Sequence, residues 1–139
     1  MSRIAIVGAG LSGRLLALNL LRFASSDAAV SVHMLDRGDE RAMGPAYSYE
    51  ADYLLLNVPA GRMGAFSEDP AHFLTWNRDR GAHAGPWDFL SRRLYRDYIL
   101  ALMREALQAR AGGTTFEYVR GEVTDLETEG GCATIHVKD

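Results

Sequence analysis

The 139-residue chain has a single cysteine, Cys132, so it can form neither an intrachain disulfide nor a multi-cysteine metal site. No apolar run approaches the roughly 20 residues that a membrane span needs. The N-terminus also lacks the charged, apolar and cleavage regions of a signal peptide. A formal net charge of only −3 leaves no electrostatic case for nucleic acid or an anionic membrane as a partner. The four histidines, His33, His72, His83 and His136, show no metal-ligand spacing. No Ser-His-Asp or Cys-His arrangement is legible either. The expectation is a cytoplasmic, soluble protein with no metal, nucleic-acid or membrane partner, and with no acid, base or nucleophile of its own.

Glycine, by contrast, is plentiful at 14 residues, and three of them are ordered. The apolar run Ile4-Ala5-Ile6-Val7 leads directly into Gly8-Ala9-Gly10-Leu11-Ser12-Gly13. Three glycines at this spacing between a strand and a helix form the dinucleotide fingerprint. Gly8 serves the tight turn, Gly10 the approach of a pyrophosphate, and Gly13 the packing of helix on strand. The helix start, Leu11 and Ser12 included, offers free N–H groups and a partial positive charge to phosphates. Arg14 through Phe23 is apolar nearly all round, which predicts a helix buried against a sheet. Val30 to Leu35 reads as a second strand ending at Asp36. An acid at that place binds the adenosine ribose hydroxyls, or else it merely opens the polar loop Asp36-Arg37-Gly38-Asp39. Arg37 keeps a ribose 2′-phosphate in play.

Farther along, residues 37–69 are rich in Gly, Pro and Ala, too long for an idle loop, and read as an ordered excursion near a ligand. Pro70 suits the first position of a short helix from Ala71 to about Arg80. Ser91 caps a long helix to about Ala111, with Leu94, Tyr98, Ile99, Leu102, Met103, Ala106 and Leu107 on one face, and Gly112-Gly113 stops it. Three β segments follow: 114–119, 122–127 and 132–137. The first could be a third parallel strand, and the other two a hairpin. The fold class expected is α/β and Rossmann-like, a parallel sheet with a β-hairpin or meander. Residues 1–139 would form one nucleotide-binding domain at the front of a longer protein. Cys132 lies in a strand, as a small apolar filler.

Three stretches could contact a ligand. Arg92 and Arg93 stand in the first turn of the long helix, where the macrodipole disfavours cations by a few tenths to ~1 kcal/mol. Either Arg93 faces an anion such as a pyrophosphate, or both point to solvent or to Asp88. Leu54 to Met63 has a turn-forming end in which Asn57 and Arg62 could donate hydrogen bonds, or it is ordinary packing. In Gly44-Pro45-Ala46-Tyr47-Ser48, Tyr47 could stack on a flat ligand or simply pack.

Taken in order, the glycine fingerprint, Asp36-Arg37, Gly44 to Ser48, Leu55 to Met63, Asp69 to Trp76 and Arg92 to Tyr98 resemble the N-terminal part of bacterial FAD/NAD(P)-binding proteins. That group includes FAD-dependent urate hydroxylase and is distantly similar to amino-acid N-hydroxylases. The resemblance spans most of residues 1–110, and Leu55 to Met63 is its most specific element. It implies FAD, with NAD(P)H as co-substrate. Gly8, Gly10, Leu11, Ser12 and Gly13 would hold the pyrophosphate, Asp36 and Arg37 the adenosine ribose side, and Arg93 the phosphates. Ala46, Tyr47, Asn57, Val58 and Pro59 would line the flavin side, and the backbone of Val123 the adenine edge. It implies the FAD-binding portion of a flavin-dependent oxidoreductase, an NAD(P)H-dependent monooxygenase acting on a small molecule. A bound cofactor would then supply the chemistry. An NAD(P)-binding dehydrogenase domain and a non-catalytic nucleotide-binding or interaction module are the alternatives. The substrate, the catalytic residues and the oligomeric state are not legible.

Overall fold

The computed structural model describes residues 2–138. They divide into two compact units, one of residues 2–44 with 103–138 and one of residues 45–102.

The first unit holds β1 (Ser2–Val7), α1 (Leu11–Phe23), β2 (Val30–Asp36), β3 (Thr115–Arg120), β4 (Glu122–Glu129) and β5 (Cys132–Lys138). β1, β2 and β3 form a parallel sheet in that order, with Ser2 opposite Val30 and Asp36 opposite Arg120. The central strand β2 is buried nearly continuously through Ser31, Val32, Met34 and Leu35, as a strand flanked on both edges in a parallel sheet should be. Because the strands are parallel, Val7, Asp36 and Arg120 all leave the sheet at one edge. The third parallel strand is thus β3, which runs one residue later than the expected 114–119. α1 buries Ala17, Leu18 and Leu21 at helical spacing. Its apolar sequence predicts burial all round. Instead Leu16 is 50% and Phe23 76% exposed, because only one stripe of a helix can face a sheet.

β4 and β5 form the expected antiparallel hairpin, a separate two-stranded sheet. It closes through Gly130 and Gly131, with φ of +60° and +80°. Left-handed backbone at both turn residues matches the twist of the strands, and glycine adopts it without a Cβ penalty.

The second unit is the excursion with the start of α3 (Arg92–Ala109). Its loops are tied by backbone bonds: Leu56 N–H to Leu90 O at 2.9 Å, Arg92 N–H to Leu54 O at 2.8 Å, and Ala60 N–H to Asp88 O at 2.8 Å. Phe73 from α2 (His72–Arg78) packs with Tyr95 and Tyr98 of α3, its ring centroid 5.0 and 5.1 Å from theirs. The buried Tyr98 hydroxyl accepts the Ala65 N–H at 3.0 Å and lies 2.8 Å from His72 Nδ1. α2 is shorter than its sequence suggests, and Ala71, not Pro70, precedes its first residue. Pro70 instead offers its carbonyl to the Gly64 N–H at 2.8 Å. Ser91 caps α3, its Oγ accepting the Leu94 N–H at 3.2 Å.

Candidate functional site

Gly8 leaves β1 with φ +99°, a left-handed conformation suited to glycine, and its N–H bonds Leu35 O at 2.8 Å. Gly10 is the N-cap of α1 and, lacking a side chain, supplies no cap of its own. The first turn of α1 contains no acidic residue. The N–H of Arg14 closes on Gly10 O at 3.0 Å. The N–H groups of Gly10, Leu11, Ser12 and Gly13 have no acceptor among the described residues. Unpaired donors at a helix start, with the dipole behind them, suit an anion.

The glycines differ in what surrounds them. A Cβ on Gly13 would fall 2.1 Å from Gly8 O and 3.2 Å from Ile6 Cγ2, so this glycine is required by helix–strand packing. A Cβ on Gly10 would meet only Met43 O, at 3.9 Å. Gly10 therefore serves no packing need, and the space above it is open to a ligand.

Asp36, half-buried at the end of β2, accepts two short backbone bonds. Its Oδ2 takes the Ala9 N–H at 2.7 Å and its Oδ1 the Gly38 N–H at 2.7 Å. The carboxylate thus braces the glycine turn and its own loop, with lone pairs left over for hydroxyl donors. Arg14 does similar work, which its sequence neighbours alone do not reveal. It is buried in the first turn of α1, donating from Nε to Ala9 O at 3.0 Å and from Nη2 to Ala42 O at 2.9 Å and to Glu40 O. Burial pulls its pKa down, yet guanidinium stays charged in proteins. The sequence signal is a cation in the first turn, directly ahead of the apolar run Leu15 to Leu18. Tyr118 of β3 donates to Gly38 O or Asp39 O, 3.1 and 3.0 Å away.

Gly8, Gly10, Leu11, Ser12, Gly13, Asp36 and Arg37 therefore lie together at the carboxyl edge of the parallel sheet. Gly121 N–H bonds Asp36 O at 2.9 Å, which brings the start of β4, and hence Val123, to the same edge. Val123 is half-buried and pairs with Val137 beside a bulge.

The other predicted residues gather in the second unit around the first turns of α3. Arg92 donates to Leu55 O at 3.1 Å and Ala46 O at 3.5 Å, and Arg96 to Tyr47 O at 3.3 Å. The Tyr47 ring packs 6.0 Å from that of Tyr95, and burial raises both hydroxyl pKa values. Asn57 is exposed, Val58 and Pro59 half-buried, just beyond the bridge between Leu55 and Ser91. Arg93 points neither freely to solvent nor to Asp88. Its Nε and Nη2 both bond Asp52 Oδ1 at 2.8 Å, and Asp97 lies 3.5 Å from Nη1. Asp88 caps Gly85 N–H at 2.7 Å instead.

A strand, a three-glycine turn, a helix start with free donors, and a second parallel strand ending in an acid define a nucleotide-binding βαβ unit. The family model described as FAD-NAD(P)-binding matches residues 5–139. The chain belongs to that family, and it binds a flavin or nicotinamide nucleotide. No curated protein matches it. Among the described residues, no helix is long and apolar enough to cross a membrane.

Proposed function

We propose that the chain is the FAD-binding part of a flavin-dependent oxidoreductase, a monooxygenase that draws electrons from NAD(P)H and acts on a small molecule. The observation that carries the nucleotide reading is the unsatisfied row of N–H donors from Gly10 to Gly13 beneath an unencumbered Gly10. These residues fit a pyrophosphate. The loops Gly44 to Ser48 and Leu55 to Met63, through the resemblance they carry, favour the flavin over a nicotinamide.

On this reading Gly8 sets the turn, the N–H groups of Leu11, Ser12 and Gly13 bind phosphate oxygens, and Asp36 accepts ribose hydroxyls without giving up its backbone bonds. Ala46, Tyr47 and the segment Asn57 to Pro59 flank the flavin side, and the Val123 backbone meets the adenine edge. Arg93 would reach a phosphate only by giving up Asp52. When bound, FAD supplies the redox chemistry. The chain supplies binding, orientation and exclusion of water.

Titration with FAD, followed by flavin fluorescence and by quenching of Trp76 and Trp87, tests the assignment. Saturable binding of FAD markedly tighter than that of NADH or NADPH is expected. Absence of saturable FAD binding overturns it, and tighter binding of a nicotinamide nucleotide would make this a dehydrogenase-type domain.

A further inference from the structure

Every arginine of the second unit but one is engaged. Arg78 donates to Ala84 O at 2.9 Å, Arg80 to Trp76 O at 3.0 Å and Arg92 to Leu55 O at 3.1 Å. Arg93 and Arg96 pair with Asp52 and Glu50. The exception is Arg62, whose guanidinium has no hydrogen bond or ion pair among the described residues. It is exposed, and it stands over the indole of Trp87, 5.1 Å from the ring centroid. A cation–π contact holds the planar fork in place and leaves its N–H donors open to a further partner.

Trp87 is itself 66% exposed, and Phe89, two residues on, is 49% exposed. Asp88, between them, is turned to the Gly85 N–H at 2.7 Å. Large aromatic side chains left in water side by side, next to an unused cation, mark a binding surface.

Backbone pairing fixes where that surface lies. Residues 56–61 run beside residues 86–90. Leu56 N–H bonds Leu90 O at 2.9 Å, Ala60 N–H bonds Asp88 O at 2.8 Å, and Gly61 N–H bonds Pro86 O at 3.0 Å. The first two bonds bracket Asn57 to Pro59 and tie that segment alongside Phe89. A Cβ on Gly61 would fall 2.8 Å from Pro86 O and 3.0 Å from Pro86 Cβ. Glycine at 61 therefore lets the two segments approach closely enough for Arg62 to cover Trp87.

We propose that Arg62, Trp87 and Phe89 bind the substrate, and that the substrate is a small aromatic carboxylate. The guanidinium fork pairs with a carboxylate through two parallel N–H donors, and a single cation balances a monoanion. The exposed rings of Trp87 and Phe89 take the flat apolar body. The inference rests on the flavin reading, which puts the flavin beside Asn57 to Pro59 and so gives the adjoining surface to the substrate. It deepens that reading by naming the chemical class and the residues that select it.

Titration with benzoate, benzyl alcohol and acetate, with and without saturating FAD, tests the proposal by nitrogen-15 NMR. Benzoate should shift the Trp87 indole and Arg62 guanidinium resonances saturably. It should bind about tenfold or more tighter than benzyl alcohol, which lacks the charge, and than acetate, which lacks the ring. Arg62→Gln should remove the preference over benzyl alcohol, and Trp87→Ala the preference over acetate. Both side chains are exposed, so melting temperature and FAD affinity should stay unchanged in both variants.

Absent benzoate binding, equal affinity for the three probes, or a preference that survives in both variants overturns the proposal and leaves FAD binding standing. So does a concentration-dependent dimer that Trp87→Ala dissolves in sedimentation, which would give the surface to a second copy of the chain. Failure of FAD to bind overturns the flavin reading itself, and with it the role of this surface as a substrate site.

Discussion

Asp36 and Ala9, 27 residues apart in sequence, are joined by a 2.7 Å hydrogen bond from the Ala9 backbone N–H to Asp36 Oδ2. The acid at the end of β2 therefore holds the glycine turn at the end of β1 in shape before any ligand arrives. Replacing it should have two consequences. Asp36→Ala leaves the N–H groups of Ala9 and Gly38 without acceptors, and stability to urea should fall by about 1–3 kcal/mol. Affinity for an adenosine nucleotide should fall by a similar amount. Asp36→Asn, which keeps one acceptor oxygen, should recover part of the stability. A variant with unchanged stability and affinity would reduce Asp36 to a loop residue.

Gly10 and Gly13 should respond oppositely to alanine. At Gly13 the new Cβ would sit 2.1 Å from Gly8 O, a backbone clash that no rotamer relieves. Overpacking of this kind should cost about 3 kcal/mol or more, visible as loss of the folded state. At Gly10 the nearest atom is 3.9 Å away and φ is −68°. Gly10→Ala should cost at most about 1 kcal/mol as a poorer N-cap, yet place a methyl group in the path of the phosphates. Thermal melts and FAD titrations on the two variants would separate packing from ligand access.

The carboxyl edge was legible because its signals are local. A glycine turn, a strand and an acid sit close together in sequence, and each maps to one backbone requirement. The long-range brace by Arg14 was not, since nothing near position 14 reveals that carbonyls of Ala9, Glu40 and Ala42 will converge there. The partner of Arg93 was missed for the same reason. Asp88 is its neighbour in sequence, while Asp52, on the excursion 41 residues away, is its neighbour in space. Hairpin and parallel strands were readable from turn glycines and apolar runs. The limits of α2 were not, because Pro70 suits a position before a helix as well as its first residue.

Arg14 supports a sharper expectation than its burial alone suggests. Its three acceptors are backbone carbonyls of the glycine turn and of the loop that follows β2. Arg14→Leu fills much of the space but strands those carbonyls, and a loss of about 3 kcal/mol is expected. Arg14→Lys should rescue little, because one ammonium cannot span the set that a planar fork reaches. Urea denaturation measures both. Equal stability of the leucine variant and the parent would show that water serves these carbonyls as well.

Tyr98 is the corresponding centre of the second unit, fully buried with its hydroxyl between Ala65 N–H and His72 Nδ1. Tyr98→Phe keeps the ring contacts and removes only the hydroxyl. Stability should drop by about 1–3 kcal/mol, the cost of leaving buried polar partners unsatisfied. A second substitution, His72→Phe, made in both backgrounds, would show through a double-mutant cycle how much of that loss belongs to the His72 contact.

Glu50 and Asp52 titrate against the arginines of α3. The Arg96 guanidinium beside Glu50 and the Arg93 guanidinium beside Asp52 hold both carboxyl groups below their ordinary values of 4.5 and 3.8. Groups whose folded pKa is depressed stabilise the fold above the unfolded pKa, and that contribution is lost as pH falls through the folded value. Both acids are exposed, so solvent screens the pairs and the effect on global stability is small. Carbon-13 carboxyl titration is the sensitive measurement. Midpoints for both residues should lie below the ordinary values, and Arg93→Ala should move Asp52 upward while shifting Glu50 much less. If FAD phosphates take Arg93 from Asp52, saturating FAD should raise the Asp52 midpoint in the same direction. An Asp52 midpoint indifferent to FAD would show that Arg93 keeps its carboxylate and binds no phosphate.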